Sequence, residues 1–321
     1  MKSAVGRPPS VSWRDVWIDR LVAPVITAPT AAAPVIVATG LAMHDGVFAA
    51  LPVLLAFLSS WLIHVAGIFA DYYVLLFRHP EDREHPDLVS ALKSGMLTLH
   101  RLRAAIIGCL ALAVVAGAWL AVPAGIAAPA LGAVGIAASL GYAAGPWPMT
   151  RLGIADPVFF VMFGIVAVAG TYYVQAVSLH APHLPLGIVT AALPASAFIV
   201  GLPAGALVTN QMLIDDIRDR TFDIAKGWRT MPVRHGLGWA RAEFVGLTAC
   251  VYLVPFWLWL GMDFSPWVLL CWLTFPQAAD MAHGVLTEDS LEKLLPFATR
   301  WARLTLDHSV LLAIGIAVRH G

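Results

Sequence analysis

An all-α bundle of nine membrane-spanning helices is the fold class this sequence predicts, on three observations. Of 321 residues, 59% are hydrophobic and 12% charged, with a mean hydropathy of +0.77. A soluble core of this length cannot hide that much apolar surface. Apolar stretches of about twenty residues, the length a helix needs to cross hydrocarbon, recur along the chain. The basic residues between those stretches fall almost entirely on one side. The 20 basic and 20 acidic residues cancel, which argues against a nucleic-acid partner. Cys109, Cys250 and Cys271 lie inside apolar stretches without metal or redox spacing, as small hydrophobes do.

In chain order the spans are predicted near 22–43, 47–77, 103–122, 124–143, 157–177, 187–214, 243–262, 266–285 and 305–319. The second and sixth are longer than a bilayer needs, so tilt or projection into water is expected. Lys2, Arg7, Arg14 and Arg20 precede the first span, and Pro8, Pro9 and Trp13 interrupt any signal-peptide pattern. The first span is therefore expected to be retained. Arg78, Arg83, Lys93, Arg101 and Arg103 lie between spans two and three, and Arg151 between four and five. Arg218, Arg220, Lys226, Arg229, Arg234 and Arg241 follow span six, and Lys293, Arg300 and Arg303 precede span nine. Arg319 alone lies opposite. The positive-inside rule then places residues 1–20 and the loops 78–102 and 215–242 in the cytoplasm. The chain reads as one integral-membrane domain, 1–321, whose membrane lipids are its first partners.

The opposite connections are short and nearly uncharged, so chemistry is expected at the cytoplasmic ends of spans two and six. After span six comes Asp215-Asp216-Ile217-Arg218-Asp219-Arg220-Thr221-Phe222-Asp223, then Lys226-Gly227-Trp228-Arg229-Thr230. On a helix Asp215, Asp219 and Asp223 form one acidic stripe. Aligned carboxylates without a cation repel one another. Hard oxygen donors of this kind suit Mg²⁺, which completes its shell with phosphate and water. Lys226, Arg229 and Arg218 supply charge for a diphosphate, as does Lys93 from the other loop. A bland alternative is a solvated helix end with its acids paired to Arg218 and Arg220.

The end of span two offers Asp71 with Tyr72, and His64 seven residues earlier on nearly the same helix face. An intramembrane histidine is a pocket candidate or a buried residue bonded to a neighbouring helix. Asn210, with Gln211, and the group Tyr172, Tyr173 and Gln175 are open to the same two readings, acceptor contact or interhelical bonding.

These residues together resemble a known family. Some nine spans with aspartate-rich motifs after spans two and six are similar to the UbiA superfamily of intramembrane prenyltransferases. Within it, the resemblance is to the branch that prenylates 1,4-dihydroxy-2-naphthoate. The stretch Asp216 to Gly236 is similar to that branch's second motif. So are Gly145-Pro146-Trp147-Pro148, Leu152-Gly153 and Phe163-Gly164 through Gly170 to Gln175. At the first motif Gly67, Ala70 and Val74 occupy family positions, so Asp71 is the one ligand retained, with Asp82 or Asp87 as substitutes if the loop folds back. Asp215 stands where the branch usually has Asn.

The resemblance implies a bacterial cytoplasmic-membrane enzyme of quinone biosynthesis, with Asp71, Asp219 and Asp223 as catalytic residues. Mg²⁺ would be held by these and Asp215, with a polyprenyl diphosphate as donor and an aromatic acceptor. Other readings are a different acceptor, cyclisation of the prenyl chain, a non-catalytic lipid-binding protein and a secondary transporter. The transporter is the weakest, because the ionisable residues lie at one face and not at the midplane.

Overall fold

The computed structural model describes residues 12–14, 16–17, 27–81, 85–180, 193–288 and 291–319. The described residues form helices and connections, with no strand among them. In order they are α1 (Thr27–Asp45), α2 (Ala50–Arg78), the short α3 (Pro86–Lys93), α4 (Leu99–Ala124) and α5 (Ala127–Gly141). Next come α6 (Ala155–Leu179), which contains a π-helical turn at Phe160–Val166, and α7 (Gly201–Lys226), extended at its start by Ala195–Ile199. Then follow α8 (Leu237–Gly261), a 3₁₀ segment Pro266–Thr274 leading into α9 (Phe275–Thr287), and α10 (Leu291–Ala317).

The predicted all-α class holds, and each predicted span has a helix at its position. Five described helices, α2, α4, α6, α7 with its extension and α8, are long and apolar enough to cross a membrane. The remaining four positions hold helices that are shorter, interrupted or more polar. Among these, α5 has 15 residues, and α10 carries Lys293, Arg300 and Arg303 within it. Residues 1–11 and 18–26, Asp82 to Glu84 and 181–192 lie outside the described residues. With them go Lys2, Arg7, Arg20 and Arg83, and the question of whether Asp82 substitutes at the first motif.

Two segments expected as loops are structured. Residues 215–226 continue α7, because no glycine or proline interrupts them before Gly227 and their charges alternate in sign at helical spacing. Hydropathy ends at Ile214, whereas backbone hydrogen bonding runs three turns further. The 78–102 segment likewise contains α3 and the start of α4, whose N-cap Thr98 accepts from the Arg101 amide at 3.2 Å.

α7 is the central helix, packed against α1, α6, α8 and α10 and buried from Gly201 to Ile214 with one partial exception at Leu202. Ile214, Ile217, Phe244, Met281 and Trp301 share one core cluster around it. The indole of Trp301 donates to the Leu207 carbonyl at 2.8 Å, giving a buried Trp the partner it needs. Where α6 crosses α7 the contact is backbone on backbone. A Cβ on Gly201 would lie 1.9 Å from the Gly164 carbonyl oxygen, and one on Gly205 would lie 2.6 Å from that of Phe160. Small residues of this kind let helices approach closely in a membrane, and the π-helical turn sits at the same crossing. The outer faces present exposed Leu112, Val115, Val122, Leu253, Trp257 and Leu273, an apolar surface suited to lipid.

The substitution Gly201→Ala should lower stability by roughly 1–3 kcal/mol, the usual cost of overpacking. Gly117→Ala on α4, with nothing within 4 Å of its Cβ position, should not lower it. Thermal unfolding of both variants in detergent checks this; equal midpoints would contradict the backbone contact.

Candidate active site

The charged end of α7 is built by the way that helix stops. Gly227 takes a left-handed backbone, φ 71°, which glycine adopts without steric cost. Its amide bonds to the Ile224 carbonyl at 3.2 Å, and the Trp228 amide bonds to that of Asp223 at 2.9 Å. This reciprocal pair is a Schellman stop. The chain then turns back along the helix end, so that the Thr230 hydroxyl donates to Asp223 Oδ2 at 2.9 Å. The Arg229 amide donates to the Thr150 carbonyl at 2.7 Å. The Arg234 guanidinium donates to the Gly153 carbonyl at 3.2 Å. Residues 148–153 thus rest on residues 229–234. Gly153, φ 69°, sits so close that a Cβ would lie 2.8 Å from the Arg229 carbonyl. Two motifs far apart in sequence meet here.

The acidic stripe is present on α7. Asp219 and Asp223 are buried, at 8% and 2% exposure, whereas Asp215 is half-buried. Arg218 lies among these acids. Its Nη1 donates to Asp215 Oδ1 at 2.6 Å. Its Nε donates to Asp219 Oδ1 at 2.7 Å and its Nη2 to Asp219 Oδ2. Arg220 has a different task, donating to the Pro232 carbonyl at 3.1 Å. Lys226 extends over the Trp228 ring, 5.0 Å from its centroid, and lies 6.0 Å from that of Phe222. Such a contact holds an ammonium against an aromatic face. The Arg229 side chain is exposed.

Asp71, on α2, belongs to the same end of the bundle. Tyr142, one residue beyond α5, lies within electrostatic reach of Asp71, Asp215, Asp216 and Asp223 together. A cleft of about 10 Å³ just beyond is lined by Val74 and Arg78 of α2, Thr150, Arg151 and Trp228, among others. The other sequence candidates make contacts of their own. His64 meets Phe163 edge-on at 5.8 Å, and Tyr72 meets His85 edge-on at 5.6 Å. Asn210 donates to the Phe244 carbonyl at 3.1 Å and to Thr248 Oγ1 at 3.0 Å, tying α7 to α8. Lys93 is exposed on α3 and paired with Glu81 at 2.8 Å. Asp87 is half-buried in α3. At the far end of the bundle, the Tyr172 hydroxyl donates to Asp45 at 2.6 Å.

Several residues of the site were not singled out from sequence. Asp216 is buried within electrostatic reach of Asp156, Asp215, Asp219 and Asp223, and Glu243 within reach of Asp156. Asp156 is 4% exposed, and its Oδ1 has no hydrogen-bond partner among the described residues. An acid beside an apolar stretch is itself a signal, and it would have drawn attention to Asp156 and Glu243. Nothing in the sequence marks Thr230 or Tyr142 in that way.

Among the described residues no three Asp, Glu, His or Cys side chains stand close enough to share an ion as they are. Two carboxylates do converge on one cation, the guanidinium of Arg218. That guanidinium stands in for a cation within a set of hard oxygen donors, the kind magnesium prefers. The residues therefore fit such an ion once Arg218 is drawn aside.

The model of the UbiA prenyltransferase family matches residues 31–303. The chain belongs to this family. It is thereby an integral-membrane prenyltransferase, and the family resemblance noted in its motifs holds over most of its length. The chain is 28% identical over 316 residues to the 1,4-dihydroxy-2-naphthoate octaprenyltransferase of Escherichia coli (strain K12), covering 95% of this chain and 96% of that protein. It is 30% identical over 275 residues to the enzyme of that name from Mycobacterium tuberculosis (strain ATCC 25618 / H37Rv), covering 84% and 86%. Among solved structures, a UbiA homolog from Aeropyrum pernix K1 superposes with a TM-score of 0.57 at 17% identity, over 93% of this chain and 97% of that one. A UbiA homolog from Archaeoglobus fulgidus bound to DMAPP and Mg²⁺ gives 0.53 at 14% identity, over 92% and 99%. Both share the UbiA fold with this chain.

Thr230→Val should leave buried Asp223 without its hydroxyl donor, at a cost of about 1–3 kcal/mol, while Thr230→Ser should retain stability. Thermal unfolding of the two variants side by side is the check. A valine variant as stable as the serine variant would mean that Asp223 does not depend on this bond.

Proposed function

We propose that this UbiA-family protein transfers a polyprenyl group from a polyprenyl diphosphate to an aromatic acceptor such as 1,4-dihydroxy-2-naphthoate, with Mg²⁺. The observation that carries the proposal is the convergence of Asp215 and Asp219 on a cation, at an end of the bundle that also holds Asp71 and Asp223. Support comes from the naphthoate octaprenyltransferases to which the chain is similar along nearly its whole length, and from the archaeal homolog with DMAPP and Mg²⁺. The asymmetry of the basic residues supports a cytoplasmic position for the N-terminus and this end of the bundle, and the bacterial relatives support the bacterial cytoplasmic membrane. Residues 1–321 act as one domain.

Asp71, Asp215, Asp219 and Asp223 would hold the metal. When bound, magnesium supplies Lewis-acid stabilisation of the charge that grows on diphosphate as the allylic C–O bond breaks. Lys226 and Arg229, on either side of the helix stop, would meet the outer diphosphate oxygens and share that charge. The packed bundle excludes water from the allylic cation, which hydrolysis would otherwise consume. The acceptor ring attacks the cation, forming the new C–C bond, and aromaticity returns as the ring carbon loses its proton or, for the naphthoate, its carboxyl group as CO₂. The prenyl tail runs along apolar helix faces that open towards lipid.

The test is an assay in membranes or nanodiscs with radiolabelled polyprenyl diphosphate, a panel of aromatic acceptors, and magnesium or EDTA. Transfer to dihydroxynaphthoate that EDTA abolishes is expected. Asp219→Asn and Asp223→Asn should each reduce turnover about 100-fold or more, the scale on which a charge-stabilising group acts. Near-normal turnover in either variant would overturn the assignment. Metal-dependent release of diphosphate without an acceptor would favour the second reading, cyclisation. That reading draws on a first motif that keeps Asp71 and has glycine, alanine and valine at the neighbouring positions.

A further inference from the structure

Arg218 is the cation the acidic stripe already holds. We propose that Arg218 is a resident counter-cation which metal and diphosphate must displace together, so that the site binds the two ligands as a pair and neither tightly alone. The inference rests on the reading of Asp215 and Asp219 as metal ligands and adds a positioning residue to it.

Three features carry it. The guanidinium is forked onto Asp219 through Nε and Nη2 while Nη1 reaches Asp215 at 2.6 Å. One side chain thus spans two acids placed three residues before it and one after. Its side chain is 16% exposed and that of Asp219 12%. The Asp219 fork is therefore shielded from the solvent screening that makes exposed pairs weak and belongs to the charge-assisted, bidentate class, while the Asp215 bond, with that side chain 33% exposed, is more open to water. Finally, a guanidinium cannot leave by losing its proton. It has to move bodily, and once moved it needs another anion.

The neighbouring cations differ. Arg220 is committed to the Pro232 carbonyl at 3.1 Å, and Lys226 rests on aromatic rings at 5.0 Å and 6.0 Å. A metal ion arriving alone competes with a covalently tethered guanidinium for the same oxygens. A diphosphate arriving alone can take the guanidinium only by leaving the two acids uncompensated. Together, the metal takes the carboxylates and the diphosphate takes the guanidinium. Coupling of this sort is reciprocal: whatever factor diphosphate adds to metal affinity, metal adds to diphosphate affinity.

The experiment titrates Mn²⁺, read by electron paramagnetic resonance as protein-bound signal, into the full-length protein in nanodiscs with and without inorganic pyrophosphate. Wild type should bind Mn²⁺ weakly alone and about tenfold or more tighter with pyrophosphate, the range of ordinary two-site coupling. Arg218→Met should bind Mn²⁺ alone about tenfold tighter than wild type, and lose most of the pyrophosphate gain. Arg218→Lys keeps the charge without the fork and should fall between the two, which guards against a methionine variant that fails to fold. If both variants bind Mn²⁺ no tighter than wild type while Asp219→Asn loses binding, Arg218 is not the occupant and the metal reading stands. If wild type and both variants bind no Mn²⁺ even with pyrophosphate, the metal reading falls and this inference with it.

Discussion

Ionised carboxylates placed out of water must be met by positive charge or by donors, and the charged end of α7 is organised around that constraint. Asp219 and Asp223 are as buried as core residues, where unscreened repulsion between acids is strongest. Arg218 answers it at Asp215 and Asp219, and the Thr230 hydroxyl does so at Asp223. For Thr230 to arrive there the chain must reverse direction, and the Schellman stop at Gly227 makes it do so. The segment so reversed then becomes the shelf on which residues 148–153 sit. Charge compensation, helix termination and loop docking are successive consequences of one cluster of acids.

The same helix also holds the bundle together, and the two roles occupy different lengths of it. From Gly201 to Leu213 α7 is mostly apolar or small, pressed against the backbone of α6 and bonded by Trp301 and Asn210 to α10 and α8. From Asp215 onwards it is charged. A rigid, deeply packed shaft fixes where its charged tip points, which a loop carrying the same aspartates would not do. Outward-facing Leu, Val and Trp side chains on α4, α8 and the 3₁₀ segment leave lipid as the solvent for everything else.

Much of this is legible in the sequence, for physical reasons that also explain the remainder. Period and length disclose helices, so every apolar stretch has one. Hydropathy marks where a helix leaves lipid, not where its hydrogen bonding ends, and α7 was therefore expected to stop three turns early. The i, i+4, i+8 spacing of Asp215, Asp219 and Asp223 was readable because it is local. The pairing of Arg218 is local too, and was present as the bland alternative of a helix end whose acids are paired. What could not be read was long-range: Asp156 reaches Asp216, and Glu243 reaches Asp156, only through the packing of α6, α7 and α8. Tyr142 joins four acids only because α5 ends beside α2. Asn210 looked like a ligand contact or an interhelical bond, and the partner on α8 that fills its amide lies 34 residues away.

The helix stop also sets the phase of the charges around it. Each helical residue turns the side chain by about 100°, so a helix continued past Gly227 would carry Arg229 about a third of a turn round the shaft from Asp223. Ending the helix at Lys226 replaces that rotation with a reversal of the chain, which is what returns Thr230 to Asp223. An insertion or deletion of one residue between Asp223 and Gly227 would leave the composition of the motif intact and turn its two halves away from each other. One added between Trp228 and Thr230 would only slacken a turn. Conservation of spacing, more than of residue type, is therefore the signature by which other chains with this arrangement can be found.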